Sequence, residues 1–457
     1  MNLLYIKAYH DPEDIASSYL TKNVIEAFNA SGIRVFIYTP TPSRGVTKEV
    51  RRKYKQIRVE SQNDGKLIIR RFKLFPESSN VLFRIVRYFL LCLIELFMSL
   101  FYKESKRCSV LYAPSTPPTI GAIAGLVKKL SNKKFVYNLQ DIFPDSLVGT
   151  GLAKKGGLLW KIGRVIENFT YRNADKIIVI SEDFKRNIMA KGVPEEKIEV
   201  IYNWVDEEAV VDIPRTENKL FDKYGLDRDK FYVTYNGNIG LTQNMDMLLE
   251  VAKELQEPAA VQEVQCPSGG SSGYLPHSFV HHALRESTTS VDDLRFNAHG
   301  GSRDIHFVLV GEGAYKAEVE KRIKEQGITN VTLLPFQPYE DISHVFSLGD
   351  VSLVISKPGV GANSVPSKTW SIMSASRPVL ANFDENELKT IIEEHQCGIF
   401  TKAGDKEAFK EAILKLYNNP ELCREYGKNG RQFVMDNLTK DVGTRKYVEV
   451  IKAVVEH

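Results

Sequence analysis

The sequence predicts an α/β protein with two Rossmann-like domains whose parallel sheets face a central cleft. Its 457 residues are 43% hydrophobic and 26% charged, which is a globular composition and a length sufficient for two or three domains. Apolar runs of strand length alternate with helix-length segments, as in repeated βα units with parallel sheets. About eleven such runs are present, too many for one mononucleotide-binding unit, which indicates two domains.

The predicted elements follow the chain in a regular order. Strands are expected at the apolar runs Leu3–Ile6, Val35–Tyr38, Val110–Tyr112, Phe135–Asn138, Ile177–Ile180, Val200–Tyr202, Tyr232–Tyr235, Ile305–Val310, Val331–Leu334, Val351–Ile355 and Val379–Asn382. Helices are expected between most of them, over Tyr19–Ala30, Trp160–Asn173, Glu182–Ala190, Met245–Leu255, Tyr315–Gln326, Lys368–Ser374 and Lys406–Tyr417. A charged, loop-like stretch near 204–225 separates an N-terminal domain (1–205) from a C-terminal domain (206–430). Helices over 431–457 are predicted to cross back to the first domain.

Residues 257–303 do not fit this alternation, because the preceding helix should reach the next strand through a short loop. They contain no Lys, whereas the other 410 residues contain 38, and they include Gly- and Ser-rich runs typical of flexible linkers. We interpret them as a foreign or engineered insert and exclude them from the fold. Four side chains in this segment match no strong zinc-binding pattern: Cys266, His277, His281 and His282. The five cysteines of the chain form no CxxC pair, which argues against a disulfide framework.

Basic residues are concentrated in one stretch of the first domain. Between Lys48 and Lys73 ten bases face three acids, so this stretch carries +7 and the rest of the chain −3. Such a patch attracts phospholipid, nucleic acid or polyphosphate, and a solvated face is the alternative interpretation. No nucleic-acid-reading motif accompanies it, so nucleic acid is not expected as a partner.

An aromatic-rich apolar segment, residues 80–102, follows the basic stretch. It is shorter than the roughly 20 apolar residues that a spanning helix needs, and it is more apolar than an ordinary surface helix. We predict that it lies in the membrane interface, and a core helix between two strands is the alternative. The residues expected to contact the membrane are Arg84, Arg87, Phe89, Leu90, Phe97 and Phe101. The N-terminus is predicted to form a strand and not a signal peptide.

Loops at the ends of strands in the second domain combine glycines with polar side chains, at the place where ligands bind in such folds. The turn 235–240 holds Gly237 and Asn238, and Gln243 follows at the start of a helix, which suits a phosphate group. The turn 310–313 holds Gly311 and Glu312, which suits a nucleotide. A tight structural turn is the alternative in both cases.

A third loop, residues 356–368, is the most informative of these. It holds two Gly, two Lys (Lys357 and Lys368) and several small polar side chains between a strand and a helix. Backbone N–H groups at a helix start beside lysines suit a diphosphate, and a purely structural loop is the alternative. By contrast, the pair Asp227 and Asp229 lies in an expected surface turn and is assigned no metal.

These segments together resemble a known family. Their order, VISEDF…KIEVIYNWVD, then FVLVGEG, then VPSKTWSIMSASRPVLA, is similar to that in the retaining glycosyltransferases of family 4, which have the two-domain GT-B fold. The GNIG…Q turn and the VPSK…M…RPVLA segment most resemble bacterial capsule and O-antigen enzymes of the N-acetyl-L-fucosamine (L-fucosamine) transferase kind. The likeness extends over nearly the whole chain except residues 257–303.

The resemblance implies a UDP-sugar site in the second domain, with Phe336 and Gln337 lining the base. Together with the loops above, it assigns donor binding to Gly237, Asn238, Gln243, Gly311, Glu312, Phe336, Gln337, Lys357, Asn363, Ser364, Val365, Ser367 and Ser371. No divalent metal and no further cofactor is expected.

The chain departs from the family at four of these donor positions. Many relatives carry Arg and Lys in place of Asn238 and Gln243, and two Glu near positions 363 and 371. Without those groups, Lys357 and Lys368 are expected to supply the positive charge that a diphosphate needs.

In the first domain, two loops that follow strands are expected to face the cleft where an acceptor enters. The catalytic residues are predicted to be Lys368, Asp141 and His10, of which Asp141 would orient the acceptor hydroxyl. Acceptor binding is assigned to Asp145, Ser146 and Ser17. A capped loop residue is the alternative role for His10, and a helix cap is the alternative for Asp145.

The function that the resemblance implies is transfer of a sugar, with retention, from a UDP-sugar to an undecaprenyl-diphosphate-linked sugar in capsule or O-antigen synthesis. An N-acetylated deoxy-aminohexose such as N-acetyl-L-fucosamine is the expected donor sugar. The enzyme is expected to be cytoplasmic and peripheral on the inner face of the cell membrane. Two alternatives remain open, a UDP-sugar 2-epimerase and a non-catalytic nucleotide-sugar-binding protein.

Overall fold

The computed structural model describes residues 1–13, 18–77, 80–149, 154–256, 304–361 and 365–456. It contains two sheets with helices packed against them, so the predicted α/β architecture with two Rossmann-like sheets is confirmed. Residues 257–303 lie outside the described residues, and so do the cysteine and histidines considered there as metal ligands. Among the residues that are described, no group of three His, Cys, Asp or Glu is arranged to hold a metal ion.

The N-terminal sheet has eight strands. They are β1 Asn2–Ile6, β2 Arg34–Pro40, β3 Val59–Gln62, β4 Leu67–Phe72, β5 Val110–Pro114, β6 Lys134–Leu139, β7 Lys176–Val179 and β8 Ile198–Val200. Their order in space is β3-β4-β2-β1-β5-β6-β7-β8, and neighbours are parallel except for the β3–β4 pair. The helices of this domain are α1 Ser18–Ala30, α2 Lys48–Gln56, α3 Val81–Phe101, α4 Lys103–Lys106, α5 Thr119–Leu130, α6 Asp145–Gly149, α7 Leu158–Asn173 and α8 Glu182–Ala190.

The C-terminal sheet has six parallel strands. They are β9 Phe231–Asn236, β10 Ile305–Val310, β11 Val331–Leu334, β12 Val351–Ile355, β13 Val379–Phe383 and β14 Gly398–Lys402, in the order β11-β10-β9-β12-β13-β14. The helices here are α9 Lys219–Tyr224, α10 Met245–Glu254, α11 Lys316–Gln326, α12 Ile342–Phe346, α13 Lys368–Ser374, α14 Glu387–Glu394, α15 Lys406–Tyr417, α16 Pro420–Asn437 and α17 Lys440–Glu456.

Each sheet has one point where the strand order reverses. In the N-terminal sheet this point lies between β1 and β5, and in the C-terminal sheet between β9 and β12. The chains leaving neighbouring strands there turn to opposite faces, which opens a crevice at the carboxyl ends of the strands. The loops that begin at residues 7 and 237 therefore stand at the two places where this fold binds ligands.

The C-terminal helix α17 packs against the N-terminal domain. Its side chains Tyr447 and Ile451 are buried in the same cluster as residues of α1. The ring of Trp204 meets that of Tyr447 edge-on at 6.0 Å between centroids. A Cβ on Gly443 would stand 2.2 Å from a ring carbon of Trp204, so only glycine permits this close approach. The last helix thus ties the two halves of the chain together.

Three observed strands were not predicted. In β3 and β4 the basic stretch obscures the pattern, although the side chains of β4 alternate between buried and half-buried along LIIRRF. The third, β14, is a short strand at the edge of the sheet. Its apolar pattern is limited to two consecutive residues, Ile399 and Phe400. Most of the other strands agree with the prediction to within a residue or two, and Glu182–Ala190 and Lys406–Tyr417 have the predicted helix bounds.

Helix α3 combines a buried face with an exposed apolar face. Leu91 and Met98 are buried in the core, and Leu90 packs against it. The opposite face exposes large apolar side chains: Phe83, Ile85, Val86, Phe89, Leu93, Phe97 and Phe101. No helix of the described parts of the chain has both the length and the apolar content to span a membrane.

The membrane-contact prediction for Arg87 is wrong. Its side chain is only 1% exposed, and its guanidinium donates to the carbonyl of Phe75 and to Ser43 Oγ. The charge is therefore turned into the domain, where it fixes the loops that precede α3. Arg84 is half-exposed and lies 4.0 Å from Glu77. The sequence pattern alone could not separate these two arginines, which are three residues apart on the helix.

Candidate functional site

A cavity of about 600 Å³ lies between the two domains, at the carboxyl ends of β9, β10 and β12. Tyr19, Asn203 and Trp204 line it from the N-terminal side and the interdomain stretch. Six residues predicted from the sequence to bind the donor or act on it also line it: Gly237, Phe336, Gln337, Ser367, Lys368 and Ser371. The cavity therefore occupies the crevice that the strand order opens in the second sheet.

Two glycine turns form the floor of the cavity by crossing closely. A Cβ on Gly311 would lie 1.9 Å from the carbonyl oxygen of Gly237, which no side chain could tolerate. The N–H of Gly237 donates to Val310 O at 2.9 Å, and the N–H of Ile239 donates to Glu312 O at 2.8 Å. The two predicted glycine loops thus pack against each other. Gly311 contributes to the site by permitting this close approach.

Lys368 is the central cation of the cavity. It begins α13, and its Nζ lies 3.8 Å from the ring centroid of Tyr235 and 3.1 Å from where a Cβ of Gly237 would be. Burial lowers the pKa of the Lys368 ammonium to about 7, because no carboxylate offsets its desolvation. Helix α13 has only seven residues, so the side chain and not a helix dipole supplies the positive charge here.

The buried side chain of Asn236, at the end of β9, was missed by sequence reasoning. It lines the cavity, is 4% exposed, and neither its amide nitrogen nor its amide oxygen has a hydrogen-bond partner among the described residues. Leaving a buried amide unpaired is costly, so such a group is expected to meet a ligand. The sequence offered no signal beyond its place, one residue before Gly237.

Aromatic side chains surround the mouth of the cavity. Phe336 is 73% exposed, which is unusual for a phenyl ring and suits stacking on a planar ligand. Tyr339 donates to Asp206 Oδ2 at 3.2 Å, and Tyr19 donates to the carbonyl of Trp204 at 2.9 Å. The two tyrosines also escaped the sequence analysis, because they come from different domains and only the fold brings them together.

Gln337 lines the cavity but its amide is already used. Its Oε1 accepts from Lys223 Nζ at 2.9 Å, and its Nε2 donates to Tyr224 and to the carbonyl of Pro335. The predicted contact of this residue with a base stays a prediction, and its amide groups are engaged within the protein. Its amide fixes the loop 335–337, which leaves the main chain of that loop and the ring of Phe336 to meet the ligand.

Five other predicted donor residues do not line the cavity. The carboxylate of Glu312 is paired with Lys316 at 2.6 Å, so it is turned away from any diphosphate. The Oε1 atom of Gln243 accepts from Gly240 N–H at 3.1 Å. The Nζ of Lys357 lies over the ring of Tyr315, 5.7 Å from its centroid. Asn238 is exposed at the turn, and Val365 packs on the apolar core of the domain. Three further predicted residues lie outside the described part of the chain: Ser17, Asn363 and Ser364.

The predicted acceptor residues are divided between two places. His10 lines a second cavity of about 430 Å³ in the N-terminal domain, and Tyr19 lines both cavities. Burial and the charges of Lys7 and Arg71 hold the pKa of His10 well below its usual value, so its ring is neutral. His10 is therefore placed beside the donor cavity but not within it.

Asp141, Asp145 and Ser146 do not line either of these cavities. Asp145 is paired with Lys191 at 2.7 Å, which removes it as a free acceptor ligand. Ser146 donates to Asp141, so these two side chains satisfy each other at the start of α6. The sequence placed this loop correctly after a strand, but β6 lies one strand further from the switch point than β5 does.

The two domains also meet away from the cavities, through the N-termini of α8 and α14. Glu387 accepts from the N–H of Glu182 at 2.8 Å, and Asp183 accepts from the N–H of Glu387 at 2.8 Å. Tyr202 donates to Glu387 as well. Each helix is thus capped by a carboxylate of the other domain.

Two family models match the chain. The one described as Glycosyltransferase Family 4 matches residues 18–209, and the one described as Glycosyl transferases group 1 matches residues 292–433. Together they match about three quarters of the chain, the first over the N-terminal domain and the second over most of the C-terminal domain.

Curated relatives and solved structures agree with these matches. WcaI of Escherichia coli K12, named as a colanic acid biosynthesis glycosyl transferase, is 25% identical over 266 residues, which are 56% of this chain and 53% of WcaI. The glycosyltransferase WbjE of Pseudomonas aeruginosa is 22% identical over 354 residues, 76% of each chain. The chain thus spans about half the length of the first relative and three quarters of the second. The structure of Anabaena HepE in complex with UDP superposes with a TM-score of 0.66 at 15% identity, covering 99% of this chain and 100% of HepE.

Proposed function

We propose that this chain, which matches two glycosyltransferase family models, transfers a sugar from a UDP-sugar to a phosphate-linked acceptor at a membrane surface. The observation that carries this proposal is the cavity between the domains, where Lys368, Asn236 and Gly237 meet. A nucleoside diphosphate needs positive charge and hydrogen-bond donors close to its phosphate groups. The buried ammonium of Lys368, the unpartnered amide of Asn236 and the turn at Gly237 offer these.

The donor would lie across the carboxyl ends of β9 and β12. Its diphosphate would approach the turn at Gly237, where Lys368 Nζ lies 3.1 Å from the point that a Cβ of the glycine would occupy. Its base would stack on Phe336, the exposed ring at the mouth of the same cavity. HepE, which has the same fold, was crystallised with UDP, which supports uridine as the base.

Departure of UDP leaves negative charge on the β-phosphate, and Lys368 would stabilise it. With retention, the acceptor oxygen bonds to the anomeric carbon on the face from which the phosphate oxygen leaves, and that oxygen takes the hydroxyl proton. No protein nucleophile is required, which fits a cavity whose central charge, among the described residues that line it, is a lysine. Stabilisation of the leaving group by Lys368 needs no divalent metal in this proposal.

The relatives support a role in surface polysaccharide synthesis. WcaI is named for colanic acid biosynthesis, and we propose a capsule or O-antigen step for this chain, with N-acetyl-L-fucosamine as the first donor sugar to test. An epimerase needs acid and base groups converging on the sugar. Apart from tyrosines, the titratable side chains that line the cavity among the described residues are Lys368 and, at the rim, Asp206. This set favours sugar transfer over epimerisation.

A membrane location is supported by two apolar faces of the N-terminal domain. The exposed side of α3 carries Phe89, Phe97 and Phe101, and the exposed side of α7 carries Leu158 and Val165. Both helices pack against α5, so they belong to the same helical layer. Seven bases of the basic stretch are exposed in the same domain: Lys48, Arg52, Lys53, Lys55, Arg58, Lys66 and Lys73. Apolar and basic surface together suit an anionic membrane.

A thermal-shift panel tests the donor site. UDP, GDP, ADP and dTDP are added to the protein with and without magnesium, and the midpoint of unfolding is recorded. We expect UDP to raise the midpoint selectively and independently of magnesium, and Lys368→Met to lose most of this shift. The matched control is Lys357→Met, which removes a lysine of the same loop that lies outside the cavity. No shift with any nucleotide, or an equal shift in both variants, would contradict the proposal.

A further inference from the structure

The side chain of Asn203 lines the cavity between the domains from the interdomain stretch and keeps one atom without a partner. Its Nδ2 donates to Gln140 Oε1 at 2.8 Å, so the amide is tied to the N-terminal domain. Its Oδ1 is buried and accepts no hydrogen bond from any residue that the structure describes. A buried acceptor that meets no donor is costly, so a ligand of this cavity is expected to supply one.

Gln140 determines how this amide is oriented. It follows β6, and its Nε2 donates to Asn138 Oδ1 at 3.0 Å and to the hydroxyl of Tyr447 at 3.4 Å. Tyr447 belongs to α17 and itself donates to Asn138 Oδ1 at 3.2 Å. Because its nitrogen is held by these two acceptors, Gln140 presents its oxygen to Asn203. The nitrogen of Asn203 therefore faces Gln140, and its oxygen is the atom that remains unpaired.

The tyrosine hydroxyls at the rim of the cavity are engaged elsewhere. Tyr19 donates to the carbonyl of Trp204 at 2.9 Å, and Tyr339 donates to Asp206 Oδ2 at 3.2 Å. Each hydroxyl has a single proton to donate, so neither tyrosine can also satisfy Asn203. The donor that Asn203 lacks is thus left for a bound molecule to provide.

The chemistry of a UDP-sugar decides which of its parts can meet this oxygen. Phosphate oxygens are acceptors and carry negative charge, so an amide oxygen repels them. In the proposed function the diphosphate lies at Lys368 and Asn236 and the base stacks on Phe336, all of which belong to the C-terminal domain. Hydroxyl groups, by contrast, donate, and the sugar that is transferred carries several of them. The sugar also has to face the acceptor, which places it away from the C-terminal wall and towards Asn203.

We propose that Asn203 Oδ1 accepts a hydrogen bond from a hydroxyl group of the sugar in the UDP-sugar donor, and that Gln140 is its positioning residue. This inference rests on the proposed function and adds a residue that distinguishes the sugar nucleotide from UDP alone. It also gives α17 a part in the donor site, because Tyr447 of that helix holds Gln140 in place.

Calorimetric titration of UDP and of UDP-sugars tests this contact. UDP, UDP-glucose, UDP-N-acetylglucosamine and UDP-N-acetyl-L-fucosamine are titrated separately into the full chain, and the UDP-sugar that binds most tightly is compared with UDP in each variant. We expect Asn203→Ala to weaken binding of that UDP-sugar by about three- to tenfold, as loss of a neutral hydrogen bond does, and to leave the affinity for UDP unchanged. The matched control is Gln432→Ala, which removes an exposed amide bonded to Asp436 on α16 and should bind both ligands as the wild type does.

A double-variant cycle tests the role of Gln140. Gln140→Leu should weaken binding of the same UDP-sugar by less than Asn203→Ala does, because Asn203 keeps its oxygen and loses only its fixed orientation. Adding Gln140→Leu to Asn203→Ala should cause no further loss, since no acceptor is then left to position. Losses that multiply in the double variant would overturn the positioning role.

The outcomes separate this inference from the proposed function. Equal affinities of the wild type and Asn203→Ala for the UDP-sugar would overturn the contact. An equal loss for UDP and for the UDP-sugar would also overturn it, because Asn203 would then act on the nucleotide, whose ribose hydroxyls both ligands share. A wild type that binds UDP but none of the three UDP-sugars would overturn it while leaving the UDP site intact. Absence of UDP binding by the wild type would instead contradict the proposed function itself.

Discussion

At the scale of single residues, the site is marked by groups that the fold leaves unsatisfied. Lys368 and Asn236 are held in the donor cavity without the partners that buried polar groups normally have. Of these, Lys368 was predicted from the sequence, because lysines in a glycine-rich loop at a helix start suit the binding of a diphosphate. Asn236 was not, because an asparagine at the end of a strand is common and its lack of partners is visible only in three dimensions.

The low pKa of Lys368 makes UDP binding depend on pH. In the free protein the pKa is about 7, and a bound diphosphate favours the charged form and raises it. Above about pH 7, binding must then take up a proton, so affinity for UDP should fall by up to about tenfold per pH unit until the pKa of the complex is reached. Titration calorimetry in buffers of different ionisation enthalpy measures this uptake directly. Lys368→Arg should bind UDP without this dependence, and an unchanged pH profile in that variant would contradict the assignment.

Replacing Asn236 is expected to maintain or raise the stability of the protein and to weaken its binding of UDP. Replacing it by Leu, which has a similar volume, removes two unpaired buried polar atoms, so the urea midpoint of unfolding should stay the same or rise. Affinity for UDP should fall by about tenfold, since a hydrogen bond to a charged group is lost. Thr234→Val on the same strand is the control, because its hydroxyl bonds to Ser352 inside the sheet. A loss of stability in Asn236→Leu without a loss of affinity would show that the amide has a structural role.

At the scale of elements, the sequence predicted the repeated βα units well because each unit carries its own pattern. An apolar run followed by an amphipathic segment is enough to place β10 and α15 with the predicted bounds. The hairpin of β3 and β4 was not predicted, because β3 lies at the edge of the sheet and β4 carries basic side chains such as Arg70, which pairs with Glu104. For α3, the core-helix alternative describes the face that packs in the core. The other face is exposed and apolar, as the membrane-interface prediction requires.

The exposed faces of α3 and α7 should bind anionic vesicles. In α3 the relevant rings are Phe89, Phe97 and Phe101, whereas Leu90 packs on the core and is better left in place. Replacing the three phenylalanines by Ser should release most of the protein from vesicles containing phosphatidylglycerol in a sedimentation assay, because a few hundred Å² of apolar contact are lost.

The control for this assay removes exposed apolar side chains from the other domain. Leu241→Ser with Met435→Ser changes two such residues of the C-terminal domain and should sediment as the wild type does. Adding Leu158→Ser and Val165→Ser on α7 to the α3 variant should abolish the remaining binding. Unchanged sedimentation of the α3 variant would leave the core-helix interpretation of residues 80–102 in place.

At the scale of the whole molecule, the larger cavity lies between the two domains and the second lies in the N-terminal domain, and the contacts that join the domains come from residues far apart in the sequence. Tyr19 joins the two cavities, while α17 returns across Trp204 to the N-terminal domain. Sequence patterns are local and could not show these contacts, since the residues in the reciprocal caps of α8 and α14 are about two hundred positions apart. The domain arrangement is thus determined by a few side chains with ordinary local roles.

Glu387 is the residue on which that arrangement most depends. It is 4% exposed, its carboxylate caps α8 of the other domain and accepts from Tyr202, so Glu387→Ala removes two contacts at once. We expect the variant to lose about 1–2 kcal/mol of stability through the lost cap, and its radius of gyration in X-ray scattering to increase in the absence of ligand. Saturating UDP, which contacts mainly the C-terminal domain in our proposal, should not restore the wild-type value. The control is Glu385→Ala, two residues earlier, whose carboxylate pairs only with Lys389 on the surface. Equal scattering profiles for Glu387→Ala and the wild type would mean that α17 and Trp204 alone hold the domains at their observed separation.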